Sequence, residues 1–319
     1  MTETLLQIRD LEVHYATRMG LVQAVDRVSL DVRRGEVLGL VGESGCGKST
    51  LGMALLRLVP PPGRIVGGRI FFNGRDLLAL SEAEMRDLRG RHISMIFQDP
   101  MTSLNPVQRI DDHIIEAIQA HEKGVSRRAA RERAAELVDK LGIVSDRLTD
   151  YPHQLSGGMR QRIMIGLALA LNADLIIADE PTTSLDVIVE AQILDLLKEL
   201  RQAYNLTLIL ITHNLGVVAE LADRVAVMYA AKIVEVADAI PLYEEPLHPY
   251  TQGLLKSIPN ISLVQQELET MPGSPPDLIS PPSGCRFHPR CPHVMDVCSQ
   301  KEPPMKEIRP GRWAACWLY

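Results

Sequence analysis

At 319 residues the chain has room for two domains, or for one with a long extension, and its 46% hydrophobic content is enough for a substantial core. A net charge of −6 argues against a broad nucleic-acid footprint. The opening residues hold no apolar leader core and no apolar run approaches the ~20 residues needed to span a bilayer, so any membrane role is expected to come through a partner protein.

Residues 8–15 and 25–32 read as strands, and with residues 68–73 they predict a small antiparallel sheet. Phe71-Phe72-Asn73-Gly74 reads as a strand entering a tight turn. Between these runs, Val37-Leu38-Gly39-Leu40-Val41 is a short apolar strand that leads into Gly42-Glu43-Ser44-Gly45-Cys46-Gly47-Lys48-Ser49, followed by a helix from Thr50. This is the phosphate-binding loop pattern G-x-x-x-x-G-K-[ST]. Its glycines let backbone N–H groups wrap a polyphosphate, and the helix N-terminus adds partial positive charge. Lys48 is suited to the outer phosphates, and the Ser49 hydroxyl to magnesium.

Further along, residues 111–122 and 127–141 carry apolar residues at helical spacing with charged opposite faces. The run Arg127-Arg128-Ala129-Ala130-Arg131-Glu132-Arg133 interleaves acid and alanine with its arginines, which predicts a solvated helix in preference to an RNA-binding one. Leu155-Ser156-Gly157-Gly158-Met159-Arg160-Gln161 precedes a helix over 159–171, with Ser156 placed to cap it. A buried strand over 175–178 ends in two adjacent acids. A carboxylate at such a strand tip can hold magnesium, here Asp179, and its neighbour Glu180 can polarise an attacking water. After Asp186 the pattern alternates: helix 188–204, strand 206–211, helix Leu215–Leu221, strand Arg224–Tyr229. Strands alternating with helices predict a largely parallel α/β sheet.

Taken in order, these motifs resemble the ATP-binding cassette (ABC) ATPases. Residues 155–161 are similar to the family's signature motif, which other phosphate-loop classes lack. Gln98, in Phe97-Gln98-Asp99-Pro100, resembles the Q-loop, Ser184-Leu185-Asp186 the D-loop, and His213, in Ile211-Thr212-His213-Asn214, the switch histidine. Tyr15 lies where the family places an aromatic against adenine. The resemblance covers roughly residues 5–237 and implies an ABC ATPase core over 1–237, with an antiparallel β subdomain and a helical insert at about 99–171. It implies ATP held by Tyr15, by Gly42, Ser44, Gly45, Cys46, Gly47, Lys48, Ser49 and Thr50, and by Gln98, Asp179 and Asp186. Ser49, Gln98 and Asp179 would hold Mg2+. Ser156, Gly157 and Gly158 would reach ATP on a partner subunit. Glu180, His213 and Gln98 would act on the γ-phosphate and water.

The remaining residues, 238–319, form a proline-rich, loop-rich extension. With His248-Pro249-Tyr250 at its core, it resembles the C-terminal extension of oligopeptide and dipeptide importer ATPases. Tyr243, Leu247, Tyr250, Leu254, Leu255, Ile258, Trp313 and Trp317 predict that it packs. Four of the five cysteines lie here, spaced C-x5-C-x6-C-x17-C at Cys285, Cys291, Cys298 and Cys316. In such a segment they suggest metal in preference to disulfides. The spacing matches neither paired zinc knuckles nor the common ferredoxin runs, and ligand chemistry leaves zinc, with His288 or His293 assisting, iron–sulfur and plain buried thiols all open. The resemblance favours a [4Fe–4S] cluster with a clamping role, separate from the phosphate chemistry.

The same resemblance implies a motor subunit of a peptide importer at the cytoplasmic face of the inner membrane. Its partners would be a second ABC ATPase, two transmembrane permeases and an extracytoplasmic substrate-binding protein. Met101-Thr102-Ser103-Leu104-Asn105-Pro106 resembles the first of two paired ATPases and so implies a heterodimer. Nickel or another small solute is the alternative cargo. A nucleic-acid-directed ABC ATPase is the alternative class, and no coiled-coil or DNA-binding insertion speaks for it.

Overall fold

A computed structural model describes residues 3–99, 103–183, 185–257 and 271–319. Pro100, Met101, Thr102, Ser184 and Ile258, singled out above, lie outside the described residues. In chain order the strands are β1 (Thr4–Thr17), β2 (Gly20–Arg33), β3 (Val37–Val41), β4 (Gly63–Phe72), β5 (Arg75–Asp76), β6 (Ile93–Ile96), β7 (Leu175–Asp179), β8 (Thr207–Thr212), β9 (Arg224–Tyr229), β10 (Lys232–Asp238), β11 (Lys306–Arg309) and β12 (Arg312–Ala314). The chain divides into two compact units, Met1–Ala79 with Leu210–Tyr319, and Leu80–Ile209. The division falls inside β8.

The first unit contains the expected antiparallel sheet, in the order β2-β1-β4-β5. Its strands run longer than the apolar patterns suggest. In β1 the buried alternation Leu6, Ile8 shifts phase to Leu11, Val13, because a bulge between Ile8 and Leu11 puts Asp10 in the left-handed region (φ 45°). The same unit carries the order β11-β12-β10-β9-β3. All five residues of β3 are buried, as a central parallel strand requires, and β3 runs parallel to β9 with Leu40 opposite Ala226. Strand β10 turns back antiparallel to β9 and accepts the short hairpin β11–β12 on its other side, with Glu235 opposite Ala314. This hairpin was not foreseen, since strands of three and four residues are too short to show a period. Nor does Trp313 pack as expected: on this hairpin it is 41% exposed.

The extension folds around Glu235, a fully buried carboxylate that accepts the backbone N–H groups of Leu247 and His248, both at 2.8 Å. Burial pushes its pKa up. The helix Pro249–Lys256 starts there, with Pro249 in its first turn and His248 Nδ1 accepting the Tyr250 N–H at 3.0 Å. Tyr250, Tyr229 and Phe287 form a closed aromatic cluster with centroids 4.5–5.5 Å apart.

In the second unit, β6 and β7 pair in parallel. The helices Ile110–His121 and Arg127–Lys140 bury Ile114 and Ile118, and Ala130, Ala134 and Val138, at the spacing the sequence predicts. The arginine-rich run makes ion pairs within the unit: Arg127 with Asp112, Arg131 with Asp111 at 3.3 Å, Arg133 with Glu122 at 2.6 Å. Among the described residues no helix is long and apolar enough to cross a membrane.

Glu36, immediately before β3, is clamped by Arg224 of β9 at 2.9 Å, with both side chains at most 10% exposed. Arg224→Met would leave Glu36 buried without its counter-ion, so it should lower stability by about 3–5 kcal/mol, and adding Glu36→Gln should recover most of that loss. Urea unfolding of the three variants checks this. A double variant no more stable than Arg224→Met would show that the pair does not act as a unit.

Candidate nucleotide site and cysteine-lined tail

In the first unit, the loop after β3 folds as its glycines demand. Gly42 (φ 154°) and Gly47 (φ 108°) occupy backbone that side chains rarely adopt. A Cβ on Gly42 would lie 2.1 Å from the Met228 carbonyl oxygen, and one on Gly47 2.0 Å from that of Ala24. The loop is thus threaded between two carbonyls with no room for a side chain. Gly45 and Ser44 are exposed. The helix Lys48–Leu55 begins directly from Gly47, with no side-chain cap. Lys48 is buried, and its Nζ donates to the carbonyls of Gly42 (2.7 Å) and Glu43 (3.0 Å). Cys46 is buried too, and burial pushes its thiol pKa up. Tyr15, near the end of β1, is half-buried with its ring against Gly63. His213 is exposed just beyond β8, and Asn214 after it caps the helix Leu215–Leu221.

The second unit holds the other candidate groups. Asp179 ends β7 and is 5% exposed. Glu180 follows in the left-handed region, at φ 47°. Such a backbone is uncommon for Glu and is held by its contacts. Gln98 Nε2 donates to Glu180 Oε2 at 2.8 Å, and the Thr183 hydroxyl donates to the same oxygen at 2.8 Å. Sequence order alone did not bring Gln98 and Glu180 together. Ser156 caps the helix Gly157–Leu169, its Oγ accepting the Met159 N–H. Gly158 is where that helix meets the helix Val187–Tyr204, since a Cβ there would lie 2.6 Å from Val189 Cγ1. Asp186 caps the latter helix through the Val189 N–H at 2.9 Å.

In the tail, the four cysteines converge. Cys285, Cys291, Cys298 and Cys316 line one small cavity together with His248, His288 and His293. All four are free thiols. Burial raises the Cys285 pKa to about 11 and pushes those of Cys291 and Cys316 up. The Cys285 N–H donates to the Cys298 carbonyl at 2.8 Å, and Gly284 (φ 67°) is required there, since a Cβ would lie 2.3 Å from that oxygen. Among the described residues no three His, Cys, Asp or Glu are close enough to hold a single metal ion. His248 is fully buried, and burial takes its pKa down to about 3. Because its Nδ1 accepts from Tyr250, its proton sits on Nε2, which has no partner.

The tail also touches the phosphate loop. Arg290, between Cys285 and Cys291, makes a two-pronged pair with Glu43, Nη1–Oε2 2.8 Å and Nη2–Oε1 3.0 Å. Tyr250 Oη accepts the Glu43 N–H at 2.9 Å. Sequence reasoning passed over Glu43 and Arg290. Glu43 is a free position in the loop pattern, and the only hint was a lone basic residue beside candidate ligands.

Residues 25–183 match the ABC transporter family, and residues 234–298 match the oligopeptide/dipeptide transporter C-terminal region. The chain is 48% identical over 319 residues to the dipeptide transport ATP-binding protein DppD of Bacillus subtilis, covering 99% of this chain and 95% of that one. It is 48% identical over 315 residues to the oligopeptide transport ATP-binding protein OppD of Salmonella typhimurium, covering 98% and 93%. Among solved structures, the ATP-binding cassette MJ0796 bound to ADP and Pi is similar in fold at TM-score 0.66 and 24% identity, over 73% of this chain and 98% of that one. CbiO1 of Clostridium perfringens is similar at TM-score 0.65 and 25% identity, over 76% and 92%. With the phosphate loop, the paired acids of β7 and the His-Pro-Tyr tail in place, the chain belongs to the ABC transporter ATPases, in the branch of the dipeptide and oligopeptide transport ATP-binding subunits.

Proposed function

We propose that this ATPase is the motor of a peptide importer, coupling ATP binding and hydrolysis to uptake of di- or oligopeptides. The observation that carries this reading is that the likeness to dipeptide and oligopeptide transport subunits runs through the tail as well as the cassette. The chain works beside two transmembrane permeases and an extracytoplasmic binding protein, on the cytoplasmic face of the membrane. Its functional division is a cassette over 1–237 and an extension over 238–319. A homologous second ATPase faces it head to tail.

Lys48, Ser49, Gln98 and Asp179 would hold magnesium-ATP, with Tyr15 against the base and the Gly42–Thr50 backbone around the phosphates. Magnesium supplies positive charge that neutralises the triphosphate. Ser156, Gly157 and Gly158 would present the N-terminus of their helix to nucleotide on the partner. Asp186 would act at that face, and His213 would sense the γ-phosphate. Glu180 takes the proton of, or orients, the attacking water. Its bonds from Gln98 and Thr183 support this role, because they fix a carboxylate that would otherwise rotate freely. Glu180→Gln should therefore lower ATP turnover of the assembled transporter by ~10²–10⁴-fold while ATP affinity stays near its original value. Steady-state hydrolysis and equilibrium ATP binding check this, and turnover near that of the unaltered protein would remove Glu180 from the role.

The finer reading of the tail is a [4Fe–4S] cluster on Cys285, Cys291, Cys298 and Cys316. Four thiols lining one cavity support it, as does an unpartnered Nε2–H of His248, which lines the same cavity. The cluster would supply cross-links in a segment with little core of its own. Anaerobically purified protein should contain about four iron and four sulfide per chain. Cys291→Ser should lose them together with the visible absorption. Zinc without iron, or four metal-free thiols, would overturn the cluster assignment.

A further inference from the structure

We propose that Arg290 and Tyr250, both in the tail, are positioning residues for the phosphate loop and act through Glu43. Glu43 is held by three groups at once. Its carbonyl accepts from Lys48 Nζ at 3.0 Å, its N–H donates to Tyr250 Oη at 2.9 Å, and its carboxylate takes both prongs of Arg290. The contacts from the tail therefore set the carbonyl against which Lys48 rests.

The holders are themselves immobilised. The Arg290 side chain is 6% exposed. Its Nε donates to the Pro272 carbonyl at 2.9 Å, its Nη1 also donates to Tyr229 Oη at 3.4 Å, and its guanidinium lies 5.8 Å from the Tyr229 ring centroid. Tyr250 has no exposed surface and is wedged between Tyr229 and Phe287. A guanidinium fixed on four acceptors and a ring presents its fork with little freedom left to lose.

The charge arithmetic gives the pair its purpose. A loop whose amides wrap a polyanion carries a carboxylate, Glu43, that repels the same polyanion. Arg290 cancels that charge and turns the carboxylate toward the tail. The pairing also ties nucleotide affinity to the cysteine cavity, because Arg290 directly precedes Cys291.

The test uses the full chain and Mg-ATP, with affinity measured by titration calorimetry and KM and kcat measured in the assembled transporter. Arg290→Gln should weaken ATP binding by about tenfold or more, because it leaves Glu43 uncancelled. KM should rise with it and kcat should change far less. Adding Glu43→Gln to Arg290→Gln should win back much of the lost affinity, a rescue that general loosening of the tail would not give. Arg290→Lys, which keeps the charge but not the fork, should fall between the two and serves if Arg290→Gln does not fold. Tyr250→Phe should weaken binding by a smaller factor. Unchanged ATP affinity in the folded Arg290 variants, or no recovery in the double variant, would overturn the proposal.

Discussion

The structure depends first on how closely the phosphate loop's backbone approaches its neighbours. Gly42 and Gly47 pass within contact of the Met228 and Ala24 carbonyl oxygens, at distances no side chain could share. That approach forces positive φ at both glycines and leaves Lys48 to start a helix with no side-chain cap. A helix start without a side-chain cap is the kind of terminus that suits a phosphate. The carbonyl walls belong to β2 and β9, so the loop is correct only when the strands around it are in register. The buried Glu36–Arg224 pair secures one of those strand positions.

The tail is attached by polar groups as much as by apolar ones. Glu235 takes two backbone amides at the point where the extension leaves β10, and the β11–β12 hairpin then extends the same edge. Arg286 adds a second fastening by donating to the Ala230 carbonyl at 2.6 Å and pairing with Asp26 at 2.5 Å. Such contacts specify one position of a loop-rich segment, because displacing it would strand buried charges. The aromatic cluster of Tyr229, Tyr250 and Phe287 joins cassette and tail side chains in a single core.

Much of the candidate nucleotide site was legible because its motifs require particular residue types. A Lys-Ser pair after a glycine-rich turn and two acids after a buried strand each carry their reason with them. The strands β3 and β7 were legible from unbroken apolar runs. Other features left no such mark. Glu180 adopts a left-handed backbone that its residue type gives no reason to expect, and the bond to Gln98 arises between residues 82 apart. Trp313 looked like core from its size alone, yet it faces outward on a hairpin at the sheet edge. The Glu43–Arg290 pair was invisible because a salt bridge between distant residues has no periodicity, and a pattern written with free positions hides the residue at which the contact is made.

The 247-residue separation of Glu43 and Arg290 has a consequence in time. At about 5–20 residues per second, a ribosome needs roughly 12–50 s to travel from one to the other. For that interval the nascent phosphate loop exists without its guanidinium partner, and for most of it without Tyr250 and without the β9 carbonyl that lines Gly42. The surroundings of the phosphate loop are therefore completed late in synthesis, and a chain stalled before the cysteine segment carries the loop without the contacts that hold Glu43.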